Sequence, residues 1–171
     1  MITMPTKEEY PAYYERYISL VADGEIKGVL ARQLENTASL LAHIPASKEN
    51  YSYAPGKWTL REVAGHITDT ERIMSYRLLR IARGDQTPLA GYDEEQYVKE
   101  ALVHAHPLSD LLEDFRAVRV ATLALLRSLP EKAWPRMGFA NNNELSVRAL
   151  AYIMAAHELH HVKMIKEKYL T

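Results

Sequence analysis

The chain of 171 residues contains no cysteine. Disulfide bonds, thiolate metal sites and a cysteine nucleophile are therefore excluded. Any tightly bound transition metal must take its ligands from histidine, aspartate or glutamate. A reaction that needs a thiol must likewise receive it from a second molecule.

The chain also lacks an excess of charge of either sign. It has 21 lysines and arginines against 22 aspartates and glutamates, for a formal net charge of −1. Nucleic-acid-binding domains usually carry a basic face, and anionic membrane surfaces attract polybasic segments. We therefore expect no nucleic-acid partner and no membrane association.

Long apolar runs are missing as well. No stretch approaches the roughly 20 apolar residues of a membrane span, and residues 1–5 lack the basic and apolar regions of a targeting peptide. With 47% hydrophobic and 25% charged residues, the composition is that of a globular protein large enough for one core. We expect a single domain over residues 1–171, in the cytoplasm.

Four stretches repeat apolar residues at helical spacing. The second opens with Thr59-Leu60-Arg61-Glu62, which has the form of a capping box, and stops before Gly84. Prolines flank the third stretch, and Ser146 is a typical cap for the fourth. The four predicted helices cover residues 23–44 (capped by Asp23), 59–83, 107–129 and 146–169.

The segments between these helices show no strand-like alternation. Residues 5–22 hold four of the eleven tyrosines and are predicted to form an arm with a short helical turn at most. Residues 93–104 read as a weak helix within the connection between the second and third helices, and residues 130–145 read as loop. The predicted fold is all-α, a four-helix bundle with a crossover connection.

The last helix contains three histidines in His157-Glu158-Leu159-His160-His161. At about 100° per residue, His157 and His161 lie one turn apart on the apolar face. A single buried histidine is usually a hydrogen-bonded core residue. Burying two costs about 1–3 kcal/mol for each unsatisfied ring, and one shared metal ion would satisfy both.

His157-Glu158-x-x-His161 also matches the zincin signature, in which the glutamate activates water. A zincin takes its third ligand from further along the chain, but only Glu167 in the remaining ten residues could serve. His66 is a better third ligand because it lies on the inward stripe of the second helix. Three histidines leave a coordination position open for water or substrate.

Other polar residues have two interpretations each. Neighbours of the three histidines either orient a ligand imidazole or lie partly exposed without such a role; they are Glu158, His160, Asp69 and Glu71. Arginines of the second helix either form ion pairs or hold an anionic ligand; they are Arg77 and Arg80. Histidines near helix ends are predicted to be surface or capping residues; they are His43, His104 and His106. Loop residues expected to shape a pocket are Trp58, Trp134 and Asn141 to Asn143.

Several segments together resemble the DinB/YfiT-like superfamily of candidate metal-dependent enzymes, over roughly residues 10–170. They are Ala54-Pro55-Gly56-Lys57-Trp58-Thr59, Gly65-His66 with Asp69-Thr70-Glu71-Arg72, Arg80 to Asp85, and Ala156 to His161. The resemblance implies a four-helix bundle, often a homodimer. It also implies a divalent metal, usually zinc or nickel, held by three histidines, which are His66, His157 and His161 in this chain.

Characterised members of this superfamily include transferases and isomerases that use a low-molecular-weight thiol, and others are described as metal-dependent hydrolases. The leading hypothesis is therefore an enzyme whose three-histidine site activates water or a small thiol to act on a small-molecule substrate. The alternative is a non-catalytic bundle in which a bound metal or small ligand is structural.

Overall fold

The computed structural model describes residues 2–21 and 24–171, which leaves Asp23, the predicted cap of the first long helix, outside the described residues. Helices dominate this part of the chain, and two short strands form a hairpin. The elements are α1 (Glu15–Ile18), α2 (Ile26–Ala42), α3 (Leu60–Ala82), α4 (Glu94–Ala101), α5 (Leu108–Arg127), β1 (Met137–Ala140), β2 (Asn143–Ser146) and α6 (Val147–Met164), which continues into a π-helical turn at Ile165–Tyr169.

The start of α3 is set by the predicted capping box. The Thr59 hydroxyl accepts a hydrogen bond from the Glu62 backbone N–H at 3.3 Å, and the Glu62 carboxylate accepts one from the Thr59 N–H at 2.6 Å. The helix ends two residues before Gly84, which takes a positive φ of 87°. Both predicted boundaries of this helix are confirmed.

Local signals also explain the ends of the other long helices. The Glu25 carboxylate caps α2 by accepting from the Gly28 N–H at 3.2 Å, and Ser146 caps α6 by accepting from the Ala149 N–H at 2.9 Å. Pro107 is the residue before α5 and not its first turn. The shorter helix α4 begins after Asp93, which accepts from the Gln96 N–H at 3.0 Å.

The four long helices form a bundle in which α3 packs mainly against α5 and α6, and α2 packs against the same two. Helices α2 and α3 are therefore diagonal to each other, as are α5 and α6. Residues near the end of α2 and the start of α3 and α5 share one apolar cluster, so α3 and α5 run parallel and opposite to α2 and α6. The parallel pair requires the long crossover that contains α4, which confirms the predicted architecture.

The core consists of two apolar clusters at opposite ends of the bundle. One includes Leu30, Leu78, Leu126 and Leu150. The other includes Leu41, Leu60, Phe115 and Ile165. Buried polar residues also lie along the long helices, and four of them, one from each long helix, form a hydrogen-bonded network that we call the polar layer: Thr37, Glu71, Arg119 and Glu158.

The prediction of a purely loop-like segment over residues 130–145 is wrong. Strands β1 and β2 pair antiparallel, and the turn residues Asn141 and Asn142 have φ values of 50° and 59°. Two successive positive φ angles are typical of the type I′ turn of a tight hairpin. Strands of four residues are too short to show a period of two, so the asparagine pair was the available signal.

None of the helices within residues 2–21 and 24–171 combines the length and the hydropathy that crossing a bilayer requires.

The hairpin lies so close to α3 that Gly138 has no room for a side chain. A Cβ there would lie 2.5 Å from Cγ1 of the buried Ile81. We expect Gly138→Ala to lower the free energy of unfolding by about 1–3 kcal/mol, as overpacking does. Gly28→Ala in α2 is the control, since its Cβ would meet Arg32 at 3.5 Å and should be neutral or stabilising by up to about 1 kcal/mol. Equal stability of the two variants in urea unfolding would contradict this packing.

Candidate metal centre

Three histidines from two antiparallel helices converge on one point. His66 on α3 places its Nε2 atom 3.0 Å from Nε2 of His157 on α6, and His161, one turn further along α6, places its Nε2 atom 3.1 Å from that same atom. One nitrogen from each ring lies within 4.8 Å of the others. The structure thus brings together the three residues that the sequence nominated as ligands.

Protons alone do not satisfy these contacts. In a neutral imidazole, Nε2 of His157 is either a donor or an acceptor and can make only one in-plane hydrogen bond. It nevertheless has two ring nitrogens at about 3 Å. Tetrahedral coordination with metal–nitrogen bonds of about 2.0–2.1 Å separates ligand nitrogens by roughly 3.3 Å. The donor set fits a shared cation better than it fits any single arrangement of protons.

The electrostatics favour neutral rings. Burial lowers the pKa of His66 to about 4. Burial, with smaller contributions from the charges of His66 and His160, lowers the pKa of His161 to about 3. Burial also holds the pKa of His157 well below its usual range. At pH 7 all three rings are therefore unprotonated on one nitrogen, which is the form that binds metals.

The histidines line a cleft that we call the tyrosine cleft. Its walls include Tyr13, Tyr14 and Tyr17 from the N-terminal arm and α1, with Trp58, Met74 and Glu94. The Trp58 ring packs 4.7 Å from that of His66, centroid to centroid. A small molecule in this cleft would contact aromatic surface and the open side of the three nitrogens.

The arm that carries the tyrosines is tied to the base of α6. The Glu9 carboxylate accepts hydrogen bonds from the Ser146 hydroxyl at 2.7 Å and from Nε of Arg148 at 2.6 Å. Sequence reasoning did not place the tyrosines or Glu94 at the site. The concentration of four tyrosines within residues 10–17 was the signal that could have suggested an aromatic wall.

Two of the predicted neighbours of the histidines, Glu71 and Glu158, belong to the polar layer and do not line the cleft. Arg119 is completely buried and donates to the two carboxylate oxygens of Glu71 at 2.8 and 2.7 Å. It also donates to the Glu158 carboxylate and to the Leu30 carbonyl, the latter at 2.9 Å. Glu158 accepts a further hydrogen bond from Thr37 at 2.5 Å. The glutamate of the zincin-like motif thus joins α6 to α2 and α5 and does not line the cleft.

The other two predicted neighbours, His160 and Asp69, lie in different surroundings. His160 lines the cleft between the rings of Tyr17 and His161, at centroid distances of 5.3 and 5.1 Å. Asp69 pairs with Arg72 at 3.2 Å on a partly exposed face. His160 is therefore the predicted neighbour that remains next to the three imidazoles.

The remaining predictions are resolved by direct contacts. Arg80 forms an ion pair with Asp85, whereas Arg77 is buried and donates to the Ala90 carbonyl at 2.7 Å. The histidines at helix ends are exposed, as predicted, and His43 contacts the Ser39 carbonyl at 2.7 Å.

The prediction that several loop residues shape a pocket is partly wrong. Trp58 lines the cleft, but Trp134 is buried in the first apolar cluster. Asn141 and Asn142 form the hairpin turn and are absent from the walls of the cleft. Hairpin geometry and core packing account for these positions without a ligand.

Fold and site together define a helical bundle with a three-histidine centre at the wall of a cleft. A model of the DinB superfamily matches residues 30–165, and the chain belongs to this family. A candidate metal-dependent hydrolase of Oceanobacillus iheyensis is 26% identical over 118 residues, which cover 67% of this chain and 66% of that protein. The three-histidine cluster and this relative together point to a divalent metal.

Two solved structures share the fold. YfiT from Bacillus subtilis is described as a candidate metal-dependent hydrolase with an unusual four-helix bundle topology. It matches with a TM-score of 0.70 at 20% identity, over 95% of this chain and 89% of the YfiT chain. A mycothiol-dependent maleylpyruvate isomerase matches with a TM-score of 0.68 at 13% identity, over 85% of this chain and 61% of the isomerase chain. At these identities the likeness shows a common fold.

The polar layer generates a stability prediction. Arg119→Met should lower the free energy of unfolding by about 3–5 kcal/mol, because it leaves two buried carboxylates without their cation. The control combines Arg119→Met with Glu71→Gln and Glu158→Gln, and should recover much of that loss because no buried charge remains. Urea unfolding of both proteins measures the difference. If the single and the combined variants are equally destabilised, the buried charges are not the cause.

The lowered histidine pKa values generate a pH prediction for the metal-free protein. Its stability should be full above pH 6.5, the ordinary histidine pKa, and should fall as the pH drops toward 4. The unfolded chain binds protons that the buried rings of His66 and His161 do not accept. In His66→Gln the slope should shrink by up to about 1.4 kcal/mol per pH unit. Unfolding of chelator-treated protein at several pH values tests this, with His104→Gln expected to keep the original slope.

Proposed function

We propose that the chain is a metal-dependent enzyme in which His66, His157 and His161 hold one divalent cation, zinc or nickel. The observation that supports this most directly is the convergence of three neutral Nε2 atoms at the wall of a cleft. Imidazole nitrogen suits zinc and nickel. The absence of cysteine removes the soft thiolate ligands that favour copper(I) and iron–sulfur clusters.

The proposed reaction is activation of water or a small thiol for attack on a small-molecule electrophile. A cation held by three ligands supplies a Lewis acid that lowers the pKa of the nucleophile. The proton leaves the O–H or S–H group, a bond forms from oxygen or sulfur to the electrophilic carbon, and the leaving group departs with its electron pair. The aromatic wall positions the electrophile against the nucleophile.

Glu94 is the proposed acceptor of the nucleophile's proton. It lines the tyrosine cleft, and no hydrogen bond or ion pair of its carboxylate is found among the described residues. Burial raises its pKa, and the nearby charges of Glu95 and Asp93 raise it further. A carboxylate with a raised pKa is the stronger base.

Two similar proteins differ in the nucleophile that their descriptions imply, which is water for one and a thiol for the other. The relative from Oceanobacillus iheyensis is described as a candidate hydrolase, whereas the isomerase of the same fold is mycothiol-dependent. A thiol used by this protein would be a cosubstrate, since the chain has no cysteine. Hydrolysis and thiol transfer would both use the same cleft.

A structural metal site is the second candidate function. The three histidines link α3 to α6, so a bound cation would also join these helices. The polar layer already connects all four long helices through Arg119, which reduces the need for such a link. That connection favours the enzyme over the structural site.

Metal content tests the centre directly. Protein purified without a histidine tag should contain about one divalent metal per chain, and His157→Ala and His66→Ala should lose it because only two ligands remain. His104→Ala, at an exposed position, should retain the metal. Elemental analysis of the four proteins is the measurement, and full metal content in both ligand variants would contradict the assignment.

Turnover separates the enzyme from the structural site. The metal-loaded protein should hydrolyse some members of a panel of small electrophiles or conjugate thiols to them. Chelation should abolish that activity with little change in thermal stability. A large loss of stability on chelation, with no turnover on any electrophile, would favour the structural metal.

A further inference from the structure

The three tyrosines of the cleft wall differ in what their hydroxyl groups bind. The hydroxyls of Tyr13 and Tyr17 lie 3.3 Å apart, and that of Tyr17 also accepts a hydrogen bond from Arg16 at 3.2 Å. The Tyr14 hydroxyl makes no hydrogen bond within residues 2–21 and 24–171. It is not sealed inside the protein either, because the buried polar atoms without a partner in this part of the chain belong to other side chains. Tyr14 therefore offers a free hydroxyl to a molecule in the cleft.

Tyr14 lies at one end of the cleft. Trp58 packs against the second apolar cluster of the core, whereas Tyr14 packs against the first cluster. Met74 and Ile153, which also line the cleft, belong to that first cluster. The cleft therefore extends from the indole beside the three histidines toward Tyr14. A small molecule seated at the histidine nitrogens has the Tyr14 hydroxyl ahead of it along the cleft.

A buried cation without a counter-charge lies behind this end of the cleft. Arg77 is 4% exposed and forms no ion pair in the described part of the chain. Its guanidinium donates to the Ala90 carbonyl at 2.7 Å and lies 3.7 Å from Sδ of Met74, which lines the cleft. Arg119, also buried, is instead paired with two carboxylates. The positive charge of Arg77 is poorly screened at this depth and acts on the adjoining cleft.

The charge of Arg77 also acts on the Tyr14 hydroxyl. Burial raises the pKa of Tyr14, and the Arg77 charge opposes part of that rise. The hydroxyl therefore keeps its proton at neutral pH and is able to donate a hydrogen bond. A donor of this kind, aimed into a partly desolvated cleft, stabilises most strongly an oxygen that gains negative charge during a reaction.

We propose that Tyr14 is a catalytic residue whose hydroxyl donates a hydrogen bond to the carbonyl oxygen of the electrophile. The nucleophile bonds to the carbonyl carbon, the π electron pair of the C=O bond moves to the oxygen, and Glu94 accepts the nucleophile's proton. Tyr14 stabilises the oxyanion until the C=O bond forms again and the leaving group departs with its electron pair. Arg77 is a positioning residue that acts through this hydroxyl. The assignment rests on the proposed function and narrows its electrophile to a carbonyl compound.

Turnover by the tag-free, metal-loaded protein gives the first test. The probes are para-nitrophenyl acetate, which reacts at a carbonyl carbon, and para-nitrobenzyl chloride, which reacts at a saturated carbon and forms no oxyanion. Tyr14→Phe should lower kcat for the ester about a hundredfold, the cost of losing one oxyanion donor, with little change in KM. Tyr76→Phe, the same change at an exposed tyrosine outside the cleft, should keep the parent's activity.

Infrared spectroscopy tests the hydrogen bond without any turnover. Acetophenone, labelled at its carbonyl carbon, serves as an unreactive probe bound to the metal-loaded protein. A carbonyl that accepts a hydrogen bond absorbs at lower frequency, so Tyr14→Phe should move the band of bound acetophenone to higher frequency. Arg77→Met should move it part of the way, because the hydroxyl becomes a weaker donor. Tyr76→Phe should leave the band where it is in the parent. A purely structural role of Tyr14 would not produce this order.

Other outcomes would overturn the assignment. They are an unchanged carbonyl band in Tyr14→Phe, ester hydrolysis by Tyr14→Phe at the parent's rate, no binding of acetophenone, and turnover of the chloride in preference to the ester. Failure of the proposed function looks different. In that case the metal-loaded parent itself turns over neither probe, and the catalytic role of Tyr14 falls with the reaction. Ester hydrolysis that needs the metal but not Tyr14 would remove the role of Tyr14 alone.

Discussion

The buried guanidinium of Arg119 is the interaction on which the arrangement of the four long helices depends. It binds Glu71 on α3, Glu158 on α6 and a carbonyl of α2. Apolar clusters above and below it supply hydrophobic stabilisation but are tolerant of small shifts. Hydrogen bonds to ionised groups are directional. The polar layer therefore fixes the register of the helices, which is the position of each helix along its axis relative to its neighbours.

That register has a direct consequence for the three histidines. His66 precedes Glu71 by five residues on α3, and His157 is adjacent to Glu158 on α6. Because neighbouring helical residues differ by about 100°, one residue of the α6 pair faces the cleft while the other faces Arg119. The ion network therefore holds the two helix segments whose separation sets the distance between Nε2 atoms. This explains why the glutamate of a zincin-like motif is structural in this bundle.

The fold also builds the surroundings of the centre from distant parts of the chain. The Glu9 carboxylate ties the N-terminal arm to the start of α6, which places three tyrosines over the histidines. The connection before α3 supplies Trp58, and α4 in the crossover supplies Glu94. The long crossover, required by the parallel pair α3 and α5, thus contributes the acidic residue of the tyrosine cleft.

Local patterns in the sequence by themselves determined the four long helices, the caps Thr59 and Ser146 of the second and fourth of them, and the candidate ligands. The capping box at Thr59 and the i, i+4 pair His157 and His161 depend on residues within one turn of each other, so spacing alone reveals them. Only the tertiary structure decided the partners of Arg119 and the tyrosine wall of the cleft. These contacts join residues that are tens of positions apart, and helical periodicity shows that a residue faces inward but not what it meets there.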